Sequence, residues 1–499
     1  MLHDILVIGA GFSGICAGIR LKQAGRQDFV ILDKADGIGG TWWENTYPGA
    51  ACDIPSHLYC FSFAPNPDWS RKYSPQPEIQ AYLERCVERY GLRPHLHLGR
   101  HVEALEFEEE RGLWRADLAG GDCLRARHVI NGSGGLHKPS IPDLPGLENF
   151  AGTAMHTAQW NHEVEFAGRD VAVIGSAASA VQAVPELAGP ARRVTVFQRT
   201  PNFIAPRNDG AYTPGVKRLF ARLPFLSRAY RWLLFMRLEL LLYPIIMKRK
   251  PRQRASRLLR RYRHAVIADP ALRAAMEPDY EMGCKRILIS DDYYASLGRE
   301  NVDLVTAGIA GIEPGGVRDR DGVLHPADIL IFATGFDLAG HMVAIDVRGR
   351  NGVRLRDLWR DAAEAYRGIM VPGLPNYYLT TGPNTGVGTT SVVYMIEATM
   401  GWIMQALDLA GDRHLLSVRP EASRRYNDAI QAALGETVWT SGCSSWYRRE
   451  DGRIETLYPH NARAFRRQLR KPDLADLLLE ERSPDASARH TGSQAVAAQ

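Results

Sequence analysis

The chain has 499 residues, of which 45% are hydrophobic and 23% are charged; these proportions are ordinary for a globular protein, and the length predicts about three domains. Its seven cysteines are odd in number and include no C-x-x-C pair, which argues against a disulfide framework, a zinc site and a dithiol redox centre and predicts reduced, intracellular thiols. The net charge of +5 conceals a local excess, because residues 211–270 contain fifteen Lys or Arg and only two acids.

The N-terminal residues predict a strand-turn-helix-strand unit that binds a dinucleotide. An apolar strand over 3–8 precedes the turn GAGFSG at 9–14, a helix runs to about Ala24, and a second strand covers 28–32. The turn matches G-x-G-x-x-G in full, and Asp33 lies 24 residues after Gly9, where a carboxylate accepts hydrogen bonds from free ribose hydroxyls. The predicted ligand is FAD, and its predicted contacts in this unit are Gly9, Gly11, Ser13, Gly14 and Asp33.

A second unit of the same kind begins at Asp170 and carries the turn GSAASA at 175–180. Ala177 replaces the second glycine of the pattern, although the helix N-terminus remains available to an anion. Arg199 stands at the position that Asp33 occupies in the first unit, and an arginine there favours a 2′-phosphate. The predicted ligand is NADPH, and its predicted contacts in this unit are Gly175, Ser176, Ser179, Ala180, Arg199 and Thr200.

The predicted fold class is α/β, with two Rossmann-type dinucleotide-binding domains, one for FAD and one for NADP, and a helical insertion. Apolar strands at 127–134 and 327–335 are interpreted as the seams where the chain leaves and re-enters the first domain. The predicted parts are the first FAD segment 1–136, the NADP domain 137–326 with the basic insertion at about 211–282, and the second FAD segment 327–482. Residues 483–499 predict a disordered tail.

The basic segment 211–270 leaves two interpretations open. Its apolar runs are interrupted by charges, so none reaches the roughly 18 apolar residues of a membrane span. It predicts helices that either cap the substrate pocket or lie on an anionic membrane surface. The predicted location is cytoplasmic, with weak peripheral membrane contact through 211–270 as the open alternative. A membrane-associated NADPH-binding protein without oxygenase activity is the functional alternative of another class.

Two longer motifs indicate a family. GGTWWENTYPGAACD at 39–53 matches [AG]-G-x-W-x-x-x-x-[FY]-P-[GM]-x-x-x-D, and FAGTAMHTAQW at 150–160 matches F-x-G-x-x-x-H-x-x-x-W. Together they resemble the type I Baeyer-Villiger monooxygenases, with one departure at Asn161, where that family usually has Pro or Asp. GCKR at 283–286, ATGFD at 333–337 and CSSWY at 443–447 resemble further segments of the family in the right order.

The resemblance implies an activity and its residues. In that family NADPH reduces FAD, O2 adds to the reduced flavin, and the peroxyflavin attacks a ketone that rearranges to an ester or lactone. A fixed cation stabilises the negative charge of that step, and the resemblance gives this role to Arg286, paired with Asp53. It further implies cofactor contacts from Thr41, Trp42, Tyr59, Val102, Lys285 and Trp446, with Lys285 beside the 2′-phosphate.

Two other enzyme activities remain open as alternatives to ketone oxygenation. An N- or S-oxygenating monooxygenase on the same scaffold needs no such arginine, and a simple NADPH-flavin reductase would use no organic acceptor. His156 is interpreted as a structural residue of the motif at 150–160, not as a general base. The predicted partners are a small-molecule ketone and O2, with no nucleic acid and no metal, and the sequence does not indicate the oligomeric state.

Overall fold

The structure, a computed structural model, describes residues 1–337, 343–443, 445, 447–449 and 451–482. The predicted tail at 483–499 and the predicted cofactor contact Trp446 lie outside the described residues.

The secondary structure falls into three stretches of chain. The first stretch contains β1 (Leu2–Ile8), α1 (Phe12–Gln23), β2 (Phe29–Leu32), α2 (Thr41–Glu44), α3 (Gln76–Arg89), β3 (Leu96–His97), β4 (Val102–Glu108), β5 (Leu113–Leu118) and β6 (Cys123–Asn131). The second contains β7 (Thr153–His156), β8 (Asp170–Ile174), α4 (Ala178–Leu187), β9 (Arg193–Phe197), β10 (Ile204–Ala205), α5 (Pro214–Arg222), α6 (Pro224–Met247), α7 (Arg249–Val266), α8 (Pro270–Ala275), β11 (Leu288–Ile289), α9 (Tyr293–Leu297), β12 (Val302–Val305), β13 (Ile309–Glu313), β14 (Gly316–Asp319), β15 (Leu324–Pro326) and β16 (Ile329–Phe332). The third contains β17 (Asp346–Arg348), α10 (Leu355–Leu358), β18 (Tyr377–Leu379), α11 (Val392–Ala410), β19 (His414–Val418), α12 (Pro420–Gly435), α13 (Ala462–Gln468) and β20 (Leu477–Glu481). Short 3-10 helices lie at Arg93–His95, Leu147–Asn149, Thr157–Gln159, Arg350–Gly352, Val438–Thr440 and Leu474–Asp476.

The first sheet is built on the N-terminal strand. Ile5, Leu6 and Val7 of β1 are fully buried, and β1 pairs in parallel with β2 on one side and with β6 on the other. The strand order is β17-β4-β5-β6-β1-β2-β3, with β18 also paired to β6. Helix α11 packs against α1, and both helices contribute buried side chains to one hydrophobic core.

The second sheet has the order β12-β9-β8-β16-β7, and all of its strand pairs are parallel. Its central strand β8 starts at the predicted Asp170 and is buried along its whole length. Two parallel strand-turn-helix-strand units, one in each sheet, confirm the predicted α/β class with two Rossmann-type units.

The second predicted seam needs a correction. The apolar run at 327–335 was expected to return the chain to the first domain, but β16 pairs with β8 and β7 inside the second sheet. The first sheet next gains a strand at β17, which pairs with β4. An apolar strand that ends in small residues fits the middle of either sheet, so its composition could not indicate which sheet it joins.

The insertion is helical, as its composition predicted, and consists of α5 to α8. Within the described residues, no helix combines the length and the apolarity that a transmembrane segment requires.

The expectation that all thiols are reduced is wrong for one pair. Cys284 and Cys443 form a disulfide whose Cα atoms are 6.3 Å apart. Their sequence separation of 159 is longer than any local spacing pattern, so only the folded chain reveals the pairing. The bond joins the GCKR segment to the CSSWY segment, which ties two motifs of the family resemblance together.

Candidate active site

Residues from both glycine turns and from the insertion line a cavity of about 1390 Å³. Fourteen predicted site residues line it, namely Gly9, Asp33, Thr41, Trp42, Asp53, Tyr59, Val102, Gly175, Ser176, Ser179, Arg199, Thr200, Lys285 and Arg286. Gly11, Ser13, Gly14 and Ala180 do not line it. The structure therefore brings most of the predicted site residues to one place.

The first turn needs glycine at two positions for steric reasons. Gly9 has φ +96°, and a Cβ atom there would lie 2.6 Å from the Gly132 carbonyl oxygen. A Cβ atom on Gly14 would lie 1.7 Å from the carbonyl oxygen of Gly9. Gly14 therefore allows α1 to start close against β1, and this close packing brings the N-terminus of α1 to the end of the strand.

The Asp33 carboxylate is held at the end of β2. One oxygen accepts a hydrogen bond from the backbone N–H of Ala10 at 2.6 Å, and the other accepts one from the N–H of Ala35 at 2.8 Å. Each carboxylate oxygen has two lone pairs, so both can accept a further bond from a ligand hydroxyl. Asp33 thus holds the backbone of the glycine turn through Ala10 and itself lines the cavity.

The second turn reproduces the backbone of the first in spite of its alanine. Ala177 has φ −89° and ψ −157°, and Gly11 at the matching position has φ −82° and ψ −163°. Any residue adopts these angles, so the turn does not need glycine there. Gly175 does need it, because its φ is +113° and a Cβ atom would lie 2.4 Å from the Ala333 carbonyl oxygen. Ala177 is exposed at the N-terminus of α4, so that helix end is accessible to an anion.

Two cations lie near each other beside the second turn. Arg199 and Lys285 both line the cavity, and burial, followed by the charge of Arg199, lowers the pKa of Lys285. The Lys285 Nζ also lies 4.8 Å from the ring centroid of Tyr280. Two cations that repel each other in one wall of a cavity are stabilised when an anion lies between them, and a phosphate dianion suits one guanidinium and one ammonium group.

Asp53 and Arg286 form an ion pair within the cavity. The Arg286 Nη2 lies 2.6 Å from the Asp53 carboxylate, and this carboxylate raises the pKa of Arg286 above its ordinary value. Half of the Arg286 side chain stays accessible, so the guanidinium faces the cavity while Asp53 orients it. Burial raises the pKa of the neighbouring Tyr447 to about 12, against the opposing charge of Arg286.

The first unit supplies an aromatic wall. The Trp42 Nε1 donates a hydrogen bond to the Tyr59 hydroxyl at 3.1 Å, and the two rings meet edge to face with centroids 5.6 Å apart. Thr41 begins α2, and Val102 begins β4. Aromatic side chains next to a glycine turn suit an aromatic ring system such as a flavin.

Sequence reasoning missed two polar residues of the cavity. The Gln182 Oε1 accepts a hydrogen bond from the Tyr47 hydroxyl at 2.8 Å, and its Nε2 donates one to the Ala51 carbonyl at 2.9 Å, so α4 of the second unit holds the 39–53 motif of the first. Burial raises the pKa of Glu44 to about 7. No local sequence pattern distinguishes either residue from a surface residue. The partners of Gln182 are distant in sequence, and the pKa of Glu44 depends on its burial in the fold.

The motif at 150–160 lies beside the cavity, outside its lining. His156 is buried, and its Nδ1 accepts a hydrogen bond from the backbone N–H of Ala158 at 3.1 Å. Trp160 stacks on Phe166 with ring centroids 5.4 Å apart. These contacts are structural ones. Within the described ranges, no group of three or more His, Cys, Asp or Glu residues has an arrangement that could hold a metal ion.

Comparison with known proteins identifies close relatives. A model of the family described as pyridine nucleotide-disulphide oxidoreductase matches residues 6–217. The chain is 40% identical over 476 residues to a Baeyer-Villiger monooxygenase of Streptomyces coelicolor, which covers 95% of this chain and 92% of the relative. It is 41% identical over 473 residues to a Baeyer-Villiger monooxygenase of Pseudomonas aeruginosa, which covers 94% of this chain and 90% of the relative. The solved structure of cyclohexanone monooxygenase from Rhodococcus sp. Phi1, bound to NADP+, matches with a TM-score of 0.86 at 30% identity and covers 96% of this chain and 99% of that chain.

Proposed function

The chain belongs to the family of the Baeyer-Villiger monooxygenases, and on that premise we propose that it uses NADPH, FAD and O2 to convert a ketone to an ester or lactone. The overall reaction consumes NADPH, O2 and a proton and releases NADP+ and water with the product. The observation that carries the proposal is the Asp53–Arg286 ion pair, at 2.6 Å, in the same cavity as both dinucleotide turns.

The residues present fit both cofactors. For FAD, we assign the N-terminus of α1 to the pyrophosphate, Asp33 to the ribose, and Trp42 and Tyr59 to the flavin wall. For NADPH, we assign the N-terminus of α4 to the pyrophosphate, and Arg199 with Lys285 to the 2′-phosphate, which the mutual repulsion of these two cations supports. When bound, NADPH supplies electrons and FAD passes them to O2, which provides the inserted oxygen.

The remaining predicted contacts receive supporting roles. Ser176 and Ser179 lie at the start of α4, and the Ser176 Oγ donates a hydrogen bond to the Thr200 carbonyl at 3.2 Å. We propose that this bond fixes the loop that carries Arg199. Gly14 lets α1 pack close against β1, and Gly11, Ser13 and Ala180 lie outside the cavity lining.

Arg286 is the proposed electrostatic catalyst. Attack on a ketone places negative charge on its carbonyl oxygen, and a guanidinium that is already oriented stabilises that charge without reorganising. Asp53 holds the guanidinium and compensates its charge while no substrate charge is present. Because the carboxylate keeps the pKa of Arg286 above its ordinary value, the cation stays protonated throughout the working pH range.

The part of the cavity next to the insertion is apolar. Leu238, Leu242 and Ile246 of α6 line it together with Trp439. Apolar side chains exclude water and favour apolar ketones. We therefore propose that the substrate is a small ketone with a substantial hydrocarbon part.

Product analysis tests the proposed function. Purified enzyme with NADPH, O2 and a panel of cyclic, aryl and long-chain ketones should yield esters or lactones with one added oxygen atom, identified by mass spectrometry. A panel of sulfides and amines runs in parallel. Oxygenation of sulfides or amines without any ester would favour the heteroatom oxygenase, and NADPH oxidation without any organic product would indicate a reductase.

We also propose the domain division that the sequence predicted, with one boundary moved. Residues 1–136 and the stretch after Phe332 make up the FAD part, and the residues between them make up the NADP part with its insertion. The move follows from the place of β16 in the second sheet. Peripheral membrane contact through residues 211–270 remains a proposal as well, supported by the excess of Lys and Arg in that segment.

A further inference from the structure

Helix α6 carries a row of large apolar side chains on its outer side. Phe225 is 61% exposed, Trp232 63%, Leu233 57%, Leu240 65% and Leu241 55%. Spacings of seven and eight residues place Phe225, Trp232, Leu233 and Leu240 on one face of the helix, with Leu241 at the edge of that face. Monomeric soluble proteins rarely expose contiguous apolar surface of this kind, so the outer face of α6 has the character of a contact surface.

The opposite face of the same helix borders the cavity. Leu238, Leu242, Ile245 and Ile246 of α6 line it, and Ile245 and Ile246 are buried. Helix α6 thus separates the outer surface from the proposed substrate site. A molecule that leaves the outer face would meet the cavity after passing only this helix.

The charges around the outer face are positive. Arg222, Arg228 and Arg237 are exposed, and none of the three has an ion-pair partner within the described part of the chain. The two acids of residues 211–270 are engaged elsewhere. Glu239 is buried and accepts a hydrogen bond from the Thr389 Oγ1 at 3.2 Å, and Asp269 caps α8. The surface next to the apolar row therefore combines hydrophobic area with unpaired positive charge.

We propose that the outer face of α6 docks on an anionic lipid bilayer, and that apolar ketones dissolved in the bilayer enter the cavity past this helix. The second half of this proposal rests on the proposed function. Apolar burial and attraction to anionic headgroups both favour such docking. A second copy of this chain fits the surface poorly, because a symmetric interface would bring two sets of unpaired arginines together.

Vesicle co-sedimentation of the FAD-loaded full chain tests the docking. Vesicles of phosphatidylcholine with phosphatidylglycerol should bind the enzyme at low salt, and high salt or phosphatidylcholine alone should weaken the binding. The triple variant Trp232→Ser, Leu233→Ser, Leu240→Ser should bind at least about tenfold more weakly, since each large apolar side chain contributes about a decade. The variant Arg222→Gln, Arg228→Gln, Arg237→Gln should lose the preference for anionic lipid.

A matched control separates docking from general loss of surface hydrophobicity. Leu474 is 66% exposed in a short 3-10 helix outside the insertion, and Leu474→Ser should leave vesicle binding unchanged. Absence of binding to anionic vesicles at low salt would overturn the proposal. Equal binding by the wild type and the Trp232, Leu233 and Leu240 triple variant would also overturn it, and so would a dimer that this variant dissociates.

Turnover distinguishes a failure of docking from a failure of the proposed function. The triple variant should oxygenate a water-soluble ketone at the wild-type rate, because its substituted side chains face away from the cavity. With a long-chain ketone held in anionic vesicles, its rate should fall at least about tenfold relative to the wild type. Equal rates with the vesicle-held ketone would contradict entry past α6, whereas no ester from any ketone in the wild type would reject the proposed function and leave the docking result standing.

Discussion

Removal of Arg199 should weaken NADPH binding far more than NADH binding. Arg199 and Lys285 line the same cavity, and burial, followed by the charge of Arg199, lowers the pKa of Lys285. Both residues are assigned to the 2′-phosphate, which NADH lacks. The Arg199→Ala variant therefore loses an attractive contact only when that phosphate is present.

The expected size follows from the kind of contact. A charge-assisted hydrogen bond contributes about 1.5–3 kcal/mol, which corresponds to roughly one to two decades in affinity. The KM for NADPH should therefore rise about ten- to a hundredfold in Arg199→Ala, and that for NADH should change less than about threefold.

The pH dependence gives the prediction a second readout. As pH rises through the pKa of Lys285, the ammonium group loses its proton and kcat/KM for NADPH falls. Burial, followed by the charge of Arg199, lowers that pKa, so removal of Arg199 should move the fall to higher pH. Steady-state kinetics with both coenzymes across the alkaline range measures both effects.

A matched control and a clear contrary result exist. Arg169 is exposed and precedes β8 at the end of the strand opposite the turn, so Arg169→Ala should leave both KM values unchanged. Equal losses of NADPH and NADH affinity in Arg199→Ala would refute the assignment of Arg199 to the 2′-phosphate. If kcat/KM for NADPH fell at the same alkaline pH in Arg199→Ala as in the wild type, the coupling of Arg199 to Lys285 would be refuted.

Three further substitutions probe the structure around the site. Gly14→Ala should prevent FAD incorporation, measured as the flavin-to-protein absorbance ratio, because its Cβ atom would lie 1.7 Å from the Gly9 carbonyl oxygen; normal loading would contradict the close packing of α1. Glu44→Gln should raise Tm at about pH 8, and the gain should vanish below about pH 4.5, because a buried carboxyl with a pKa raised to about 7 destabilises the fold only when it is ionised; an equal gain at both pH values would exclude this cause. Gln182→Leu should lower stability by about 1–3 kcal/mol in denaturant unfolding, because it leaves the Tyr47 hydroxyl and the Ala51 carbonyl without their partner; a neutral effect would show that water replaces the amide.

The parts of the fold that local chemistry determines could be predicted from the sequence. The glycine turns, Asp33 and Arg199 depend on residues within about 25 positions of each other, because one strand-turn-helix-strand unit fixes their geometry. The structure brings Asp33 to the turn through its bonds to the N–H groups of Ala10 and Ala35. Asp53 and Arg286, 233 residues apart, could be connected only through the family resemblance.

The features that the sequence did not reveal depend on long-range packing. The disulfide between Cys284 and Cys443 joins positions 159 residues apart. Gln182 of the second unit accepts a hydrogen bond from Tyr47 in the 39–53 motif of the first unit. The run at 327–335 was interpreted as a strand that returns to the first domain, but it forms β16, which pairs with β8 in the second sheet. The two faces of α6 could not be distinguished either, because both carry leucines and other large apolar side chains.

The product yield of an Arg286 variant tests the central claim most directly. Arg286→Ala should retain bound FAD that NADPH still reduces, but its ester yield per NADPH consumed should fall by at least about a hundredfold, since loss of one preorganised donor to a developing oxyanion costs about 2.7–4 kcal/mol. The consumed oxygen should appear as hydrogen peroxide. Simultaneous measurement of NADPH oxidation, peroxide and ester gives this ratio in one experiment. A variant that forms ester with wild-type coupling would contradict the claim that the Arg286 cation, oriented by Asp53, stabilises the oxygen-insertion step.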